Sequence, residues 1–156
     1  MRSGTLIIVC GLPGSGKTHY ARKLEQENQA IRFAPDEWMA SLSINIYDAT
    51  ARARIESLQW ELGQQLLTAG LIIIIEWGTW GRSERDALRI RARELGAKVE
   101  LQYLSATPDV LFARIQNRAA ENPPITREAL DAWHKLFEAP TLDELALFDR
   151  SEIIEQ

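Results

Sequence analysis

The sequence has a single cysteine, Cys10, and two histidines among 156 residues. An internal disulfide is excluded, and neither His19 nor His134 has the company of a metal site, so both are read as structural. No apolar run approaches the length of a membrane span, and no basic start precedes a long apolar stretch. The expectation is a cytoplasmic protein with no membrane partner. Internal repeats, low-complexity tracts and Pro-rich or Gly/Ser-rich linkers are also missing, which leaves residues 1–156 as one expected domain with one site. Excess positive charge is lacking too: 18 Lys and Arg face 22 Asp and Glu, a net charge of −4. Nucleic acid bound over a broad surface is therefore disfavoured as a partner.

With 46% hydrophobic and 26% charged residues the chain has the composition of a folded domain. Thr5 to Cys10 is a short apolar run that ends in glycines, the pattern of a strand buried on both faces. Lys17 to about Asn28 reads as an amphipathic helix, Ile31 to Ala34 as a second strand stopped by Pro35, and Asp36 as a candidate cap of a short helix through about Leu42. A long helix is expected over Thr50 to Ala69, with Ile55, Leu58, Leu62 and Leu66 on its buried face and Gly70 closing it. Leu71 to Ile75, five aliphatic residues without alternation, belongs in mid-sheet. Further elements are a helix from Ser83 to Leu95, a strand from Val99 to Leu104, and helices over Asp109 to Ala120 and Thr126 to Phe137. A fifth strand is a candidate only at Leu145 to Asp149. This alternation predicts an α/β fold: a central parallel sheet of four to five strands between two layers of helices. Right-handed crossovers then gather the loops after Cys10, Ala34, Ile75 and Leu104 at one sheet edge, where such folds bind ligands.

The first of those loops, Gly11-Leu12-Pro13-Gly14-Ser15-Gly16-Lys17-Thr18, matches G-x-x-x-x-G-K-[ST] in full. Gly11, Gly14 and Gly16 let successive backbone N–H groups, with that of Ser15, converge on phosphate oxygens. Lys17 brings a mobile charge to the β- and γ-phosphates, and Thr18 offers its hydroxyl to Mg²⁺. A chance match is expected in roughly one chain of this length in a few hundred. ATP with Mg²⁺ is the expected ligand pair.

On this loop, the small size and the absence of an Asn-Lys-x-Asp guanine signature, the chain resembles the small P-loop kinases. The resemblance is to the group containing zeta-toxin-like, chloramphenicol-phosphotransferase-like and polynucleotide-kinase-like proteins. Related sequences often carry an AAA-family label, although the chain is too short for the helical lid and ring apparatus of an AAA+ motor. The likeness implies a three-layer P-loop NTPase fold, ATP as phosphoryl donor and a hydroxyl as acceptor.

It also implies roles for residues at the ligand edge. Asp36, just past the second strand, stands where those kinases place an aspartate that orients the acceptor hydroxyl. An aspartate is a weak base, so orientation comes first and proton removal late; the plainer reading is a helix cap. Glu76 takes the slot of the acid that supports magnesium or substrate, and the plainer reading is a carboxylate bonding loop amides. Arg114 and Arg118, four apart on one helix, lead into a candidate lid over about 114–126 and would serve the nucleotide and the transferred phosphate. Trp38, Trp77 and Trp80 are candidates to wall an acceptor pocket, whereas Trp60 and Trp133 are expected in the core. Arg82, Arg85, Arg89 and Arg93 form a stripe interspersed with acids that is expected to be solvated; Arg82 and Arg85 begin at the ligand edge and are candidates to meet an anionic substrate. Glu37 is expected to be solvated.

The resulting expectation is an ATP-dependent kinase for a small hydroxyl compound. The alternatives are a 5′-hydroxyl polynucleotide kinase, disfavoured because Met39 stands where that family has Arg, and an ATP-binding or ATP-hydrolysing switch.

Overall fold

The computed structural model describes residues 2–156. Five strands form one sheet: β1 (Thr5–Cys10), β2 (Ile31–Phe33), β3 (Ile72–Gly78), β4 (Lys98–Ser105) and β5 (Arg150–Glu155). They lie in the order β2-β3-β1-β4-β5, and every neighbouring pair is parallel. The helices are α1 (Lys17–Asn28), α2 (Pro35–Ser41), α3 (Ala49–Thr68), α4 (Arg82–Glu94), α5 (Pro108–Arg118), α6 (Arg127–Leu136) and the one-turn α7 (Leu142–Leu145). No helix of the described residues is long and apolar enough to cross a membrane.

The period-2 geometry of the strands sorts the core into two layers. Leu6, Ile8 and Cys10 of β1, with Ile73 and Ile75 of β3, face the side covered by α3 and α4. Ile7, Val9 and Ile74 face the other side, where α1 packs with Ala21. Central strands with both faces covered must be apolar throughout, which is why β1 and β3 show no alternation. Burial pushes the Cys10 thiol up to about 12, so it acts as a small core residue and not as a nucleophile.

Four expected features shift. Asp36 does not cap the helix after β2: Ala34 holds the cap position without a side-chain bond, and α2 begins at Pro35. The third strand does not stop at Ile75: pairing of Cys10 with Gly78 carries β3 on through Glu76 and Trp77. The fifth strand is present, but Leu145 to Asp149 is not it. Thr141 accepts from the Glu144 N–H and caps α7, and β5 starts only at Arg150. Its charged edge residues Arg150 and Glu152 hide it from an apolar-run criterion. On α3 the buried row is Ile55, Gln59, Gly63 and Leu67, whereas Leu58 and Leu62 are 58% and 41% exposed. The cause is close approach: a Cβ at Gly63 would meet Ile73 Cδ1 at 2.9 Å, and Gln59 accepts from Trp77 Nε1 at 2.9 Å.

The arginine stripe of α4 is also not uniformly solvated. Arg85 is fully buried and donates through Nε to Glu144 Oε2 at 2.6 Å and through Nη2 to Glu144 Oε1 at 2.9 Å. Its remaining donors reach the Thr79 carbonyl at 2.7 Å and the Glu138 carbonyl at 2.6 Å. Arg85 therefore fastens the loop after β3 to the chain preceding β5 and is unavailable to an anionic substrate. Burial disfavours its charge, and the bonds to Glu144 more than restore it. Glu144→Ala strands that cation in the core and should cost about 3–5 kcal/mol of stability. The double change Arg85→Met with Glu144→Leu should cost far less, as urea unfolding of both variants will show.

Candidate active site

The phosphate loop runs from the end of β1 into α1, and its glycines are required by geometry. Gly14 and Gly16 hold φ of 85° and 87°, and a Cβ at Gly14 would lie 2.6 Å from the Leu111 carbonyl oxygen. Gly16 precedes α1 without a side-chain cap, so the first N–H groups of the helix stay unclaimed at the loop. Ser15 Oγ is buried and has no hydrogen-bond partner among the described residues. Burial lowers the Lys17 pKa, opposed by the negative charges of Glu76 and Asp36. Unclaimed amides, an orphan hydroxyl and a desolvated cation fit a polyphosphate.

Thr18 Oγ1 donates to Glu76 Oε2 at 2.7 Å, tying the helix start to β3. The other carboxylate oxygen, Oε1, accepts from Arg32 Nη1 at 2.9 Å. Arg32, on β2 with a side chain only 7% exposed, also pairs with Glu37 of α2 at 2.5 Å and Glu25 of α1 at 3.3 Å. Burial opposes its charge, but Glu76 and Glu37 hold its pKa above the ordinary value. Glu37 is therefore a structural partner, bonded by Arg22 and Arg32 together, and its own pKa is lowered by those contacts against the effect of burial. The hydroxyl of Thr18 beside the carboxylate of Glu76 fits Mg²⁺, which keeps several water and phosphate ligands and needs few from the protein.

Beside this pair lies a cavity of about 370 Å³. Lys17, Thr18, Asp36, Glu76, Trp77, Trp80 and Arg118, all singled out from the sequence, line it together. Three others stand apart. Trp38 packs edge-on against Phe33 at 6.2 Å and joins the core. Arg82 faces Asp86 at 3.5 Å and lies outside the cavity wall. Arg114 borders a separate shallow cleft with Gly16, His19, Tyr20 and Gln156, where it donates to the Gly14 carbonyl at 3.3 Å and to Gln156 Oε1 at 3.1 Å. Lys17, Thr18 and Arg118 border both the cavity and an open cleft over Gly14 and Gly16. They sit at the junction of two hollows.

A family model described as an AAA domain matches residues 6–140. The chain belongs to this AAA-domain family. Solved structures share the fold of this AAA-domain chain at low identity. A gluconokinase from Sinorhizobium meliloti 1021 is 18% identical, with a TM-score of 0.65 over 99% of this chain and 84% of that one. The APS kinase of Mycobacterium tuberculosis, in complex with AMPPNP and APS, is 14% identical, with a TM-score of 0.63 over 98% and 90%. A structure from the PezAT toxin-antitoxin system of Streptococcus pneumoniae is 18% identical, with a TM-score of 0.74 over 100% and 70%. No curated protein matches the sequence significantly. The fold of this AAA-domain chain is that of the small P-loop kinases, and its central sheet has five parallel strands.

Several wall residues of the cavity escape sequence reasoning. Trp133, expected in the core, packs at 5.8 Å against Trp80 and lines the cavity. Tyr47 donates to the Pro123 carbonyl at 2.7 Å, joining the loop before α3 to the segment after α5. Arg118 pairs with Glu121, another lining residue. Arg52 of α3 donates to Asp36 Oδ1 at 2.6 Å, and its Nε lies 3.7 Å from Glu56, one turn along the same helix. The only sequence signal is the four-residue Arg52–Glu56 spacing; the partnership with Asp36 depends on how α3 folds back.

Burial raises the Glu56 carboxyl from 4.5 to about 7; Arg52 opposes the shift, and Glu84 and Asp36 add to it. A carboxyl raised on folding contributes stability below its unfolded value of 4.5 and loses that contribution as pH rises through 7. Glu56→Gln should therefore raise the urea midpoint well above pH 7 relative to the wild type, an advantage that shrinks as pH approaches 4.5. Equal effects at both ends would remove the burial explanation.

Proposed function

We propose that this chain transfers the γ-phosphoryl group of ATP to a hydroxyl of a small molecule. The observation that carries this reading is the junction of the two hollows. Lys17, Thr18 and Arg118 border the cleft over the phosphate loop and also the cavity that holds Asp36. Donor phosphates on one side and an acceptor on the other can then meet in line.

Each residue has a distinct role in this reading. The Gly11 to Thr18 loop wraps the phosphates with its amides, and Lys17 neutralises oxygens of the migrating group. Thr18 and Glu76 would hold Mg²⁺ with ATP; when bound, the ion offsets negative charge on the phosphates. Arg32 keeps Glu76 aimed through its 2.9 Å contact with Oε1. Arg118 exchanges Glu121 for the phosphate charge as transfer proceeds, with the segment up to Thr126 acting as its lid. Arg114, beside Gly16 and Tyr20, serves the remainder of the nucleotide. Trp77 and Trp80, with Trp133, give the acceptor flat apolar walls, so a ring-bearing hydroxyl compound suits them. Asp36 accepts the hydrogen bond of the acceptor hydroxyl and aims its oxygen at the γ-phosphorus. The new O–P bond forms as the bond to the β–γ bridging oxygen breaks, the hydroxyl proton passes to Asp36 and on to solvent, and ADP leaves. Trp38 and Arg82, outside the cavity wall, have no assigned contact in this scheme.

The test is a product screen with γ-labelled ATP, magnesium and a panel of sugars, amino sugars, nucleosides and a 5′-hydroxyl oligonucleotide. Label on a small hydroxyl compound supports the proposal. Label on the oligonucleotide end replaces it with polynucleotide kinase activity, and free phosphate alone makes the chain an ATP-driven switch. Lys17→Ala should remove transfer altogether. Asp36→Asn should reduce the transfer rate about 100-fold while leaving ATP affinity within about twofold. Normal turnover in Asp36→Asn would remove the acceptor-orienting role from the residue.

A further inference from the structure

The proposed function leaves Arg52 without a task, although it is the only side chain among the described residues that donates to Asp36. The contact is short, 2.6 Å, and engages only Oδ1. The Asp36 side chain is otherwise 62% exposed and lines the cavity, so its second oxygen is open to an acceptor. Arg52 itself comes from the first turn of α3, an element α2 packs against, and its own side chain is 31% exposed. It is braced from the other side by Glu56, 3.7 Å from Nε. Two acids thus flank one guanidinium, Asp36 at Nη1 and Glu56 at Nε, and only Asp36 lines the cavity.

We propose that Arg52 is the positioning residue of the acceptor subsite: it pins one oxygen of Asp36, leaves the other to take the acceptor hydroxyl, and is itself balanced by Glu56. This rests on the assignment of Asp36 as the acceptor-orienting group. An unpinned aspartate samples several rotamers, and the acceptor hydroxyl bonded to it would be aligned with phosphorus only part of the time. Sharing of the guanidinium adds a second consequence. When Glu56 is ionised it draws charge from Arg52, and Asp36 becomes a stronger hydrogen-bond acceptor. When Glu56 is protonated, Arg52 belongs wholly to Asp36, whose hold on a hydroxyl weakens. The charged groups facing Glu56 are Arg52 on its own helix, Asp36 on α2 and Glu84 on α4; the two acids oppose its ionisation and Arg52 favours it. The balance therefore turns over near pH 7.

The test uses the full chain with magnesium-ATP and with water, the smallest hydroxyl acceptor, as the probe. Arg52→Gln should lower kcat about tenfold with KM for ATP within about twofold, and Arg52→Lys should recover most of the loss. In the wild type kcat should step upward as pH crosses 7, and Glu56→Gln should remove the step and hold the rate at its acid-side level. A readout free of turnover comes from NMR. The Asp36 carboxyl ¹³C and Arg52 ¹⁵Nε resonances should both move through a midpoint near 7, and neither should do so in Glu56→Gln. A wild-type rate in Arg52→Gln, or resonances that ignore the Glu56 titration, overturns the proposal. Failure of the wild type to bind magnesium-ATP would instead sink the kinase reading, and the NMR result would still decide whether Asp36, Arg52 and Glu56 act as one unit.

Discussion

Glu76 is the point on which the local architecture turns. Its carboxylate lies at the centre of the sheet edge, almost out of reach of water, and both oxygens are engaged. Arg32 approaches from β2 and Thr18 from the start of α1, so one buried acid joins the strand, the phosphate loop and the neighbouring strand. An ionised carboxylate in that position is tolerable only because a guanidinium faces it and further acids hold the guanidinium. Glu25 and Glu37 supply that support from α1 and α2. The network thus sets the relative placement of the elements that present Lys17 and Asp36.

A second layer of charge surrounds the cavity and is more loosely built. Asp36, Arg52 and Glu56 make contacts that are partly open to solvent, in contrast to the buried pair of Arg85 and Glu144. On the proposed reading the difference follows from use. A pair that fixes the path of the chain gains from full burial and a complete set of hydrogen bonds, as Arg85 shows. A pair that must yield to an incoming molecule has to keep an oxygen free and a short route to water. The aromatic rings around it, Trp77, Trp80 and Trp133, give shape without competing for those polar groups.

The amino-acid order alone determined the phosphate loop, the alternation of strands and helices, and the placing of Asp36 and Glu76 at the ligand edge. These are local matters: a contiguous motif, runs with period 2 or 3.6, and caps adjoining them. Tertiary structure decided the rest. Only when α3 folds back does Arg52 meet Asp36, and only the close approach allowed at Gly63 turns Ile55, Gln59 and Leu67 inward in place of Leu58 and Leu62. Arg85 and Arg82 look alike in a helical stripe, yet one is sealed in the core and the other is not, because Glu144 lies 59 residues further on. β5 is edge-like and charged, so its pairing with β4 carries no periodic trace. Contacts between distant segments depend on how whole elements pack, and a side chain's partner across such a gap leaves no mark on its own neighbours in sequence.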